Sequence, residues 1–228
     1  MTEDLLELLE GLHFHTLCEQ DSDALETTLE AVERGFGDVL PRMKWLNMGG
    51  GHHITREDYD LPRLENLIRR AQDRWQLQVY LEPGEAVALN AGYLVTTALD
   101  VTENSGIRNA ILDVSAACHM PDVIEMPYTP PLMNGEPGNE GGHVFRLAGP
   151  TCLAGDVIGD YTMDSELNPG DRLVFGDMAI YTTCKNNTFN GMPLPDIYGM
   201  NRDGQLRKLT GFGYADFKGR LGKTGQKA

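Results

Sequence analysis

The sequence contains four cysteines, no CxxC pair and no apolar run long enough to cross a membrane. Widely spaced cysteines of this kind indicate reduced thiols rather than a disulfide framework or a structural zinc site. The first nine residues are acidic and amphipathic, and they lack the basic start of a signal peptide. We therefore expect a cytoplasmic protein with no membrane partner.

Positive charge is also scarce, since 19 lysines and arginines face 34 acidic residues and leave a net charge of −15. Nucleic-acid binding depends on neutralising phosphates with lysine and arginine, so this balance argues against a nucleic-acid partner. A negative field raises the local concentration of cations and is compatible with a cationic substrate. Solubility alone is the simpler cause of the bulk charge.

Helices and strands alternate along the chain as far as Glu85. Apolar residues recur at helical spacing after Asp21 and after Asp60, and short apolar runs separate these segments. Each run ends in polar or glycine residues, as in parallel strands joined by helical crossovers. The set is too small for a closed barrel, which needs about eight strands. We predict helices capped by Thr2, by Asp21 or Ser22 and by Asp60, and strands over 12–17, 44–48 and 77–81.

After Glu85 the strand-like runs follow one another without helices. Glu103-Asn104-Ser105-Gly106 is typical of a hairpin turn. The stretch 119–142 carries five prolines and is predicted to be irregular. No internal repeat or low-complexity segment is present. The second part is predicted to be all-β, with strands over 92–100, 107–114, 143–147, 171–175 and 209–214.

Three candidate ligand-binding features follow the predicted strands of the first part. Gly49-Gly50-Gly51 would let an anion approach backbone N–H groups and form a phosphate cradle. Glu82 could hydrogen-bond a ring nitrogen, and His15 could lie flat against a planar ligand. Each signal is weak alone, and a flexible turn or a structural histidine explains it as well. Together they favour a phosphorylated planar cofactor such as pyridoxal phosphate.

The same region allows a metal-dependent hydrolase as an alternative. His13 and His15 have the spacing of two ligands on one strand face, and His52, His53 and Glu82 follow neighbouring strands. This reading leaves the triple glycine unexplained.

A cysteine occupies the loop Gly149-Pro150-Thr151-Cys152-Leu153-Ala154-Gly155-Asp156. Glycine and proline on both sides specify a tight, irregular backbone in which the side chain need not pack. Cys152 is therefore a candidate reactive thiol. The alternative is a small apolar residue that fills a loop corner.

Five ordered motifs resemble the fold-type III pyridoxal-phosphate decarboxylases, the family of the ornithine and diaminopimelate decarboxylases. They cover most of the chain, and finer details, such as His53-Ile54-Thr55, resemble the branch that acts on carboxynorspermidine and carboxyspermidine. The five motifs are Leu12-His13-Phe14-His15, Gly49-Gly50-Gly51, Glu82-Pro83-Gly84, Gly149-Pro150-Thr151-Cys152, and Tyr181-Thr182 followed by Thr188-Phe189-Asn190-Gly191.

The resemblance implies a fold and an assembly. Residues 1–90 would be the C-terminal strands of an alanine-racemase-like (β/α)8 barrel that binds pyridoxal phosphate. Residues 91–228 would be a C-terminal β-domain. The enzyme would work as a head-to-tail homodimer that converts a carboxylated polyamine to norspermidine or spermidine.

The resemblance also implies residue roles at the cofactor. His15 would stack on the ring, the three glycines would hold the phosphate, and Glu82 would pair with the pyridine nitrogen. Tyr181 would reach the phosphate and Asn190 would lie nearby.

Cys152 would act from the partner subunit, protonating the carbon that has lost CO2. Asp122 and Asp156 are candidates for carboxylates that face the amines of a polyamine-like substrate.

Two positions depart from the family pattern. Ornithine decarboxylases continue the Glu-Pro-Gly motif with an arginine that holds the phosphate, whereas this chain has Glu85, which would repel a phosphate if it pointed inward. The family's Schiff-base lysine lies on an early barrel strand, and no segment of this sequence matches it. A non-catalytic chain that binds a full-length relative is therefore a second hypothesis.

Overall fold

The computed structural model describes residues 3–222, and the boundary between its two compact units falls between Leu89 and Asn90. The predicted helix cap at Thr2 lies outside the described residues. Within the described range, no helix combines the length and the apolar character needed to cross a membrane.

The first unit is a three-stranded parallel sheet with helical crossovers, in the order β1-β2-β3. The parallel pairing agrees with the alternation of helices and strands in the sequence. Its elements are α1 (Glu3–Leu6), β1 (Gly11–His13), α2 (Ser22–Phe36), a 3-10 turn (Leu40–Arg42), β2 (Trp45–Asn47), α3 (Leu61–Trp75), β3 (Gln78–Tyr80) and α4 (Gly84–Val87).

Helix α3 begins as its sequence predicts. The carboxylate of Asp60 accepts a hydrogen bond from Arg63 N at 3.0 Å, and Pro62 occupies the first turn, where no backbone donor is lost. The apolar stripe of α3 is buried at Leu64, Leu67, Ala71 and Trp75. Helix α2 starts at Ser22 with Asp21 in the cap position, although the Asp21 side chain makes no capping hydrogen bond.

The first predicted strand, 12–17, is too long, because β1 ends at His13. Phe14 N still donates to Asn47 O at 3.1 Å, after which the chain leaves the ladder. Phe14 and Leu17 nevertheless pack on the hydrophobic core of this unit. The alternation of Leu12 and Phe14 with His13 and His15 therefore imitates a longer strand, although His15 lies in a loop.

The second unit is built on a six-stranded sheet in the order β6-β8-β7-β5-β4-β9, with β10 and β11 as a separate antiparallel pair. Only β5 and β7 pair in parallel in the large sheet. The elements are β4 (Leu94–Asn104), β5 (Ile107–Leu112), α5 (Ala116–His119), α6 (Asp122–Glu125), β6 (Gly135–Pro137), β7 (Val144–Ala148), β8 (Val157–Met163), β9 (Arg172–Phe175), α7 (Tyr181–Cys184), a 3-10 turn (Phe189–Gly191), β10 (Ile197–Met200), β11 (Leu206–Thr210) and α8 (Tyr214–Arg220).

The hairpin predicted between β4 and β5 is confirmed. Ser105 and Gly106 form its two-residue turn with φ of 54° and 78°, the left-handed values that suit a right-twisted hairpin. On one side of the sheet, Phe145, Tyr161 and Phe175 are fully buried in the core of this unit.

The all-β prediction for the second part is wrong in detail. The short helices α5, α6 and α7 escape detection because four residues are too few to show a helical period. The predicted last strand, 209–214, lies too far along the chain. β11 ends at Thr210, and α8 begins at Tyr214, where Gly213 N donates to the Asp216 carboxylate at 2.7 Å.

Candidate functional site

Three glycines form a tight loop directly after β2. Gly49 and Gly51 have φ of 73° and 83°, which favours glycine. A Cβ on Gly51 would overlap the carbonyl oxygen of Leu17, and a Cβ on Gly50 would lie 2.7 Å from the carbonyl oxygen of Glu82. The loop is therefore wedged between the segments that follow β1 and β3, and larger residues do not fit there.

The Glu82 carboxylate lies at the centre of a polar cluster beside this loop. Its Oε1 accepts a hydrogen bond from Asn47 Nδ2 at 2.7 Å. Its Oε2 lies 3.7 Å from His13 Nε2 and 3.9 Å from His15 Nδ1. The Gly50 N–H points at the same His15 nitrogen over 3.4 Å. The structure thus brings together His15, the glycines and Glu82, which the sequence predicts as one site, and leaves Glu82 half exposed.

Two other histidines of the metal hypothesis lie apart from this cluster. His52 is buried, and its Nε2 is 3.3 Å from Met48 O. Burial lowers the pKa of His52 below its usual value. His53 Nε2 lies 3.4 Å from the Glu85 carboxylate, and Glu19 completes that group. Glu85 therefore contacts a buried imidazole in this structure.

The residues present fit two parts of pyridoxal phosphate. A carboxylate that is half exposed and held by Asn47 can accept a hydrogen bond from a protonated pyridine nitrogen. A loop in which only glycine fits allows a phosphate to approach the backbone. The family's Schiff-base lysine, by contrast, has no candidate beside the glycine loop among the described residues of the first unit. Lys44 is the first unit's only lysine, it precedes β2 and so lies at the opposite end of that strand from the glycines, and it pairs with Glu10.

In the second unit, Cys152 lies exposed in the loop between β7 and β8. The side chain of Asn190 donates from Nδ2 to Cys152 Sγ over 3.0 Å. Asn190 itself has φ of 55° in its 3-10 turn. Two residues that are 38 positions apart in the sequence, and that the resemblance places in one site, are therefore in contact.

Asp156 is buried beneath the Cys152 loop and is 2% exposed. Its oxygens accept hydrogen bonds from Ser115 Oγ at 2.8 and 3.0 Å, from Ala117 N at 3.2 Å and from Thr151 N at 3.3 Å. The Thr151 hydroxyl also donates to it. A Cβ on Gly149 would overlap the carboxylate. The substrate-binding role expected for Asp156 stays a prediction, and this burial does not favour it.

Asp122, the other predicted substrate carboxylate, already binds an ammonium group. Lys185 Nζ pairs with Asp122 and lies 2.6 Å from Glu125 Oε2. Hydrogen bonds to Asp122 and then to Glu125 raise the pKa of Lys185. Tyr181, at the start of α7, is exposed and has its ring 5.9 Å from the same ammonium.

Sequence reasoning missed three residues that hold these sites. Asn47 carried a usable signal, because it is a polar residue at the end of an apolar strand beside the triple glycine. Ser115 and His119 carried none, since their partners lie 41 and 74 positions away in the sequence.

Comparison with known proteins identifies the class. Residues 17–179 match the C-terminal sheet domain of the pyridoxal-dependent decarboxylases, and the chain belongs to that family. A carboxynorspermidine/carboxyspermidine decarboxylase from Campylobacter jejuni is 44% identical over 93% of this chain and 58% of its own length. A carboxyaminopropylagmatine decarboxylase from Synechocystis is also 44% identical, over 93% of this chain and 55% of its own length. The family assignment bears out the resemblance to pyridoxal-phosphate decarboxylases.

A solved structure gives the same relationship. The carboxynorspermidine decarboxylase of Campylobacter jejuni, crystallised with norspermidine, superimposes with a TM-score of 0.83 at 44% identity. The match covers 92% of this chain and 60% of that one. The chain therefore spans somewhat more than half the length of the relatives it matches.

Proposed function

We propose that this chain carries the cofactor-binding and proton-donating parts of an enzyme that decarboxylates carboxynorspermidine and carboxyspermidine to norspermidine and spermidine. The observation that carries the proposal is the Glu82 cluster beside the glycine loop, in a chain 44% identical to decarboxylases of such substrates. In this proposal β1–β3 are the last strands of a (β/α)8 barrel and the second unit is the C-terminal β-domain.

The first unit would hold pyridoxal phosphate. Gly49, Gly50 and Gly51 would surround its phosphate, Glu82 would pair with its pyridine nitrogen, and His15 would lie against its ring. When bound there, the cofactor would act as an electron sink that accepts the electron pair of the C–C bond broken as CO2 leaves. Asn47 donates a hydrogen bond to one oxygen of Glu82, and the other oxygen would accept from the ring nitrogen. A carboxylate at this position would favour a protonated ring nitrogen, the state in which the ring accepts electrons best.

Cys152 would return a proton to the carbon that has lost CO2. The Asn190 amide donates to Cys152 Sγ, so the sulfur acts as the acceptor in that contact. The S–H bond is then free to point elsewhere and to donate its proton as a general acid. Within a homodimer, the thiol of one protomer would serve the site of its partner, with Tyr181 and Asn190 nearby.

The substrate would be a polyamine-like cation. The net charge of −15 raises the local concentration of cations. Asp122 and Glu125 together pair with the ammonium of Lys185, a cation of the kind that a polyamine carries, which supports the proposal. Asp122 would meet a substrate amine in its place.

The test is CO2 release from carboxynorspermidine by the purified protein with pyridoxal phosphate. Cys152→Ala should reduce turnover by about 10²- to 10⁴-fold, because a general acid is lost. Cys184→Ala is the matched control, since Cys184 is also exposed and its sulfur donates to Tyr181 O in its own helical turn. Full activity of Cys152→Ala would refute the role of that thiol.

The alternative is a non-catalytic chain that binds a full-length relative. The absence of a sequence match to the family's lysine segment motivates it. Such a chain would release no CO2 alone and would co-purify with a complete homologue. CO2 release without a homologue would exclude it.

A further inference from the structure

The contact between Cys152 and Asn190 rests on one short helix, α5, which binds the segments that carry both residues. On the Cys152 side, Ser115 Oγ and Ala117 N donate to the buried Asp156 carboxylate. The same carboxylate accepts from Thr151 N and from the Thr151 hydroxyl, so it joins α5 to the residue before Cys152.

On the Asn190 side, the anchor is His119. Its Nδ1 accepts from Ser115 N at 3.1 Å, so its Nε2 carries the proton and donates to Pro193 O at 3.0 Å. The ring is 1% exposed, and burial lowers its pKa. Asn187 adds two bonds to α5, from its N to Cys118 O at 3.0 Å and from its Nδ2 to Ala117 O at 2.8 Å.

We propose that Asp156 is a positioning residue, which with His119 fixes the Cys152 thiol opposite the Asn190 amide. This inference rests on the proposed role of Cys152 as proton donor. Asp156 would not touch the substrate. It would fix the position of the thiol, and α5 would hold the Asn190 amide within hydrogen-bond distance of the sulfur.

The chemistry of the network requires a carboxylate. Ser115, Ala117 and Thr151 all present donors to Asp156, so every position around the group must accept. An asparagine would place an NH2 group against one of these donors and leave both unsatisfied in a buried place, which is costly. Gly149 belongs to the same arrangement, because the carboxylate occupies the space of its missing side chain.

The position of the thiol matters because proton transfer needs close contact. A general acid must reach its acceptor within hydrogen-bond distance, and a displacement of about 1 Å can cost about 10²-fold in rate. A loop of eight residues with an exposed cysteine has no apolar anchor of its own at that residue. The buried carboxylate supplies the anchor.

The experiment compares Asp156→Asn with Asp160→Asn in the full protein. Asp160 follows in β8, and its carboxylate pairs with Arg146 of β7 at 2.7 and 3.0 Å. The readout is the rate of alkylation of Cys152 by iodoacetamide, mapped by mass spectrometry, with Cys184 of the same molecule as internal reference. Asp156→Asn should lower the ratio of the two rates several-fold, because the thiolate of Cys152, which is the form that iodoacetamide alkylates, loses the hydrogen bond donated by Asn190. Asp160→Asn should leave the ratio unchanged.

A wild-type ratio in folded Asp156→Asn would overturn the proposal. If that variant does not fold, Ser115→Ala gives the same measurement, since it removes one donor to Asp156 and keeps the charge. In the turnover assay, Asp156→Asn should lower kcat by at least about tenfold and leave KM within about twofold, because only the reacting geometry changes. Failure of the wild type to release CO2 would refute the proposed function, and the alkylation ratio would still decide the role of Asp156.

Discussion

The two units present their functional groups by different means. In the first, half-exposed side chains extend from the ends of three parallel strands, and glycines set their spacing through backbone contacts. In the second, an exposed thiol and an exposed amide rest on a buried network of Asp156, Ser115 and His119. The first arrangement should be sensitive to added bulk at the backbone. The second should be sensitive to loss of a single buried polar group.

Gly51→Ala should have the largest effect in the first unit. Its Cβ would overlap the Leu17 carbonyl, and φ of 83° is unfavourable for alanine. We expect pyridoxal phosphate binding to be lost in an absorbance titration. Gly35→Ala, where a Cβ meets nothing within 4 Å in helix α2, should keep binding and raise the free energy of unfolding by up to about 1 kcal/mol. Equal binding by the two variants would contradict the steric account of the glycine loop.

Glu82→Gln should have a smaller effect, on rate more than on folding. The amide keeps the size of Glu82 and its place beside Asn47, but it carries no charge to keep a ring nitrogen protonated. We expect kcat to fall by about tenfold or more, with an unfolding midpoint close to that of the wild type, since the side chain is half exposed. An unchanged kcat in Glu82→Gln would contradict the proposed role of Glu82 at the ring nitrogen.

The smallest effect concerns pH. Burial lowers the pKa of His119 from 6.5, so the folded protein keeps this ring neutral while the unfolded chain binds a proton. Its contribution to stability is therefore complete above pH 6.5 and declines as the pH falls towards the lowered value in the folded state. Urea midpoints measured from pH 7.5 downward should decrease. His119→Phe should show a weaker pH dependence than the wild type, and an identical dependence would count against a neutral buried His119.

The difference between the two units also explains which site residues could be predicted from the sequence. His15, the glycines and Glu82 could be predicted as one site, because parallel strands bring consecutive strand ends to one edge of a sheet. Cys152 could be predicted from its own loop. Ser115 and His119 could not, since the short helix that carries them has no periodic signal and its partners are remote in the sequence. The burial of Asp156 could not be predicted either, because its partners Ser115 and Ala117 are remote in the sequence.

We propose that the first unit holds the ring and phosphate of the cofactor, with Tyr181 of the second unit reaching the phosphate, and that Cys152 supplies the proton. A titration of Cys152→Ala with pyridoxal phosphate tests it most directly, followed by CO2 release from the same sample. The account predicts wild-type affinity for the cofactor together with turnover reduced by about 10²-fold or more. Loss of cofactor affinity in Cys152→Ala, to the extent expected for Gly51→Ala, would contradict this division between the two units.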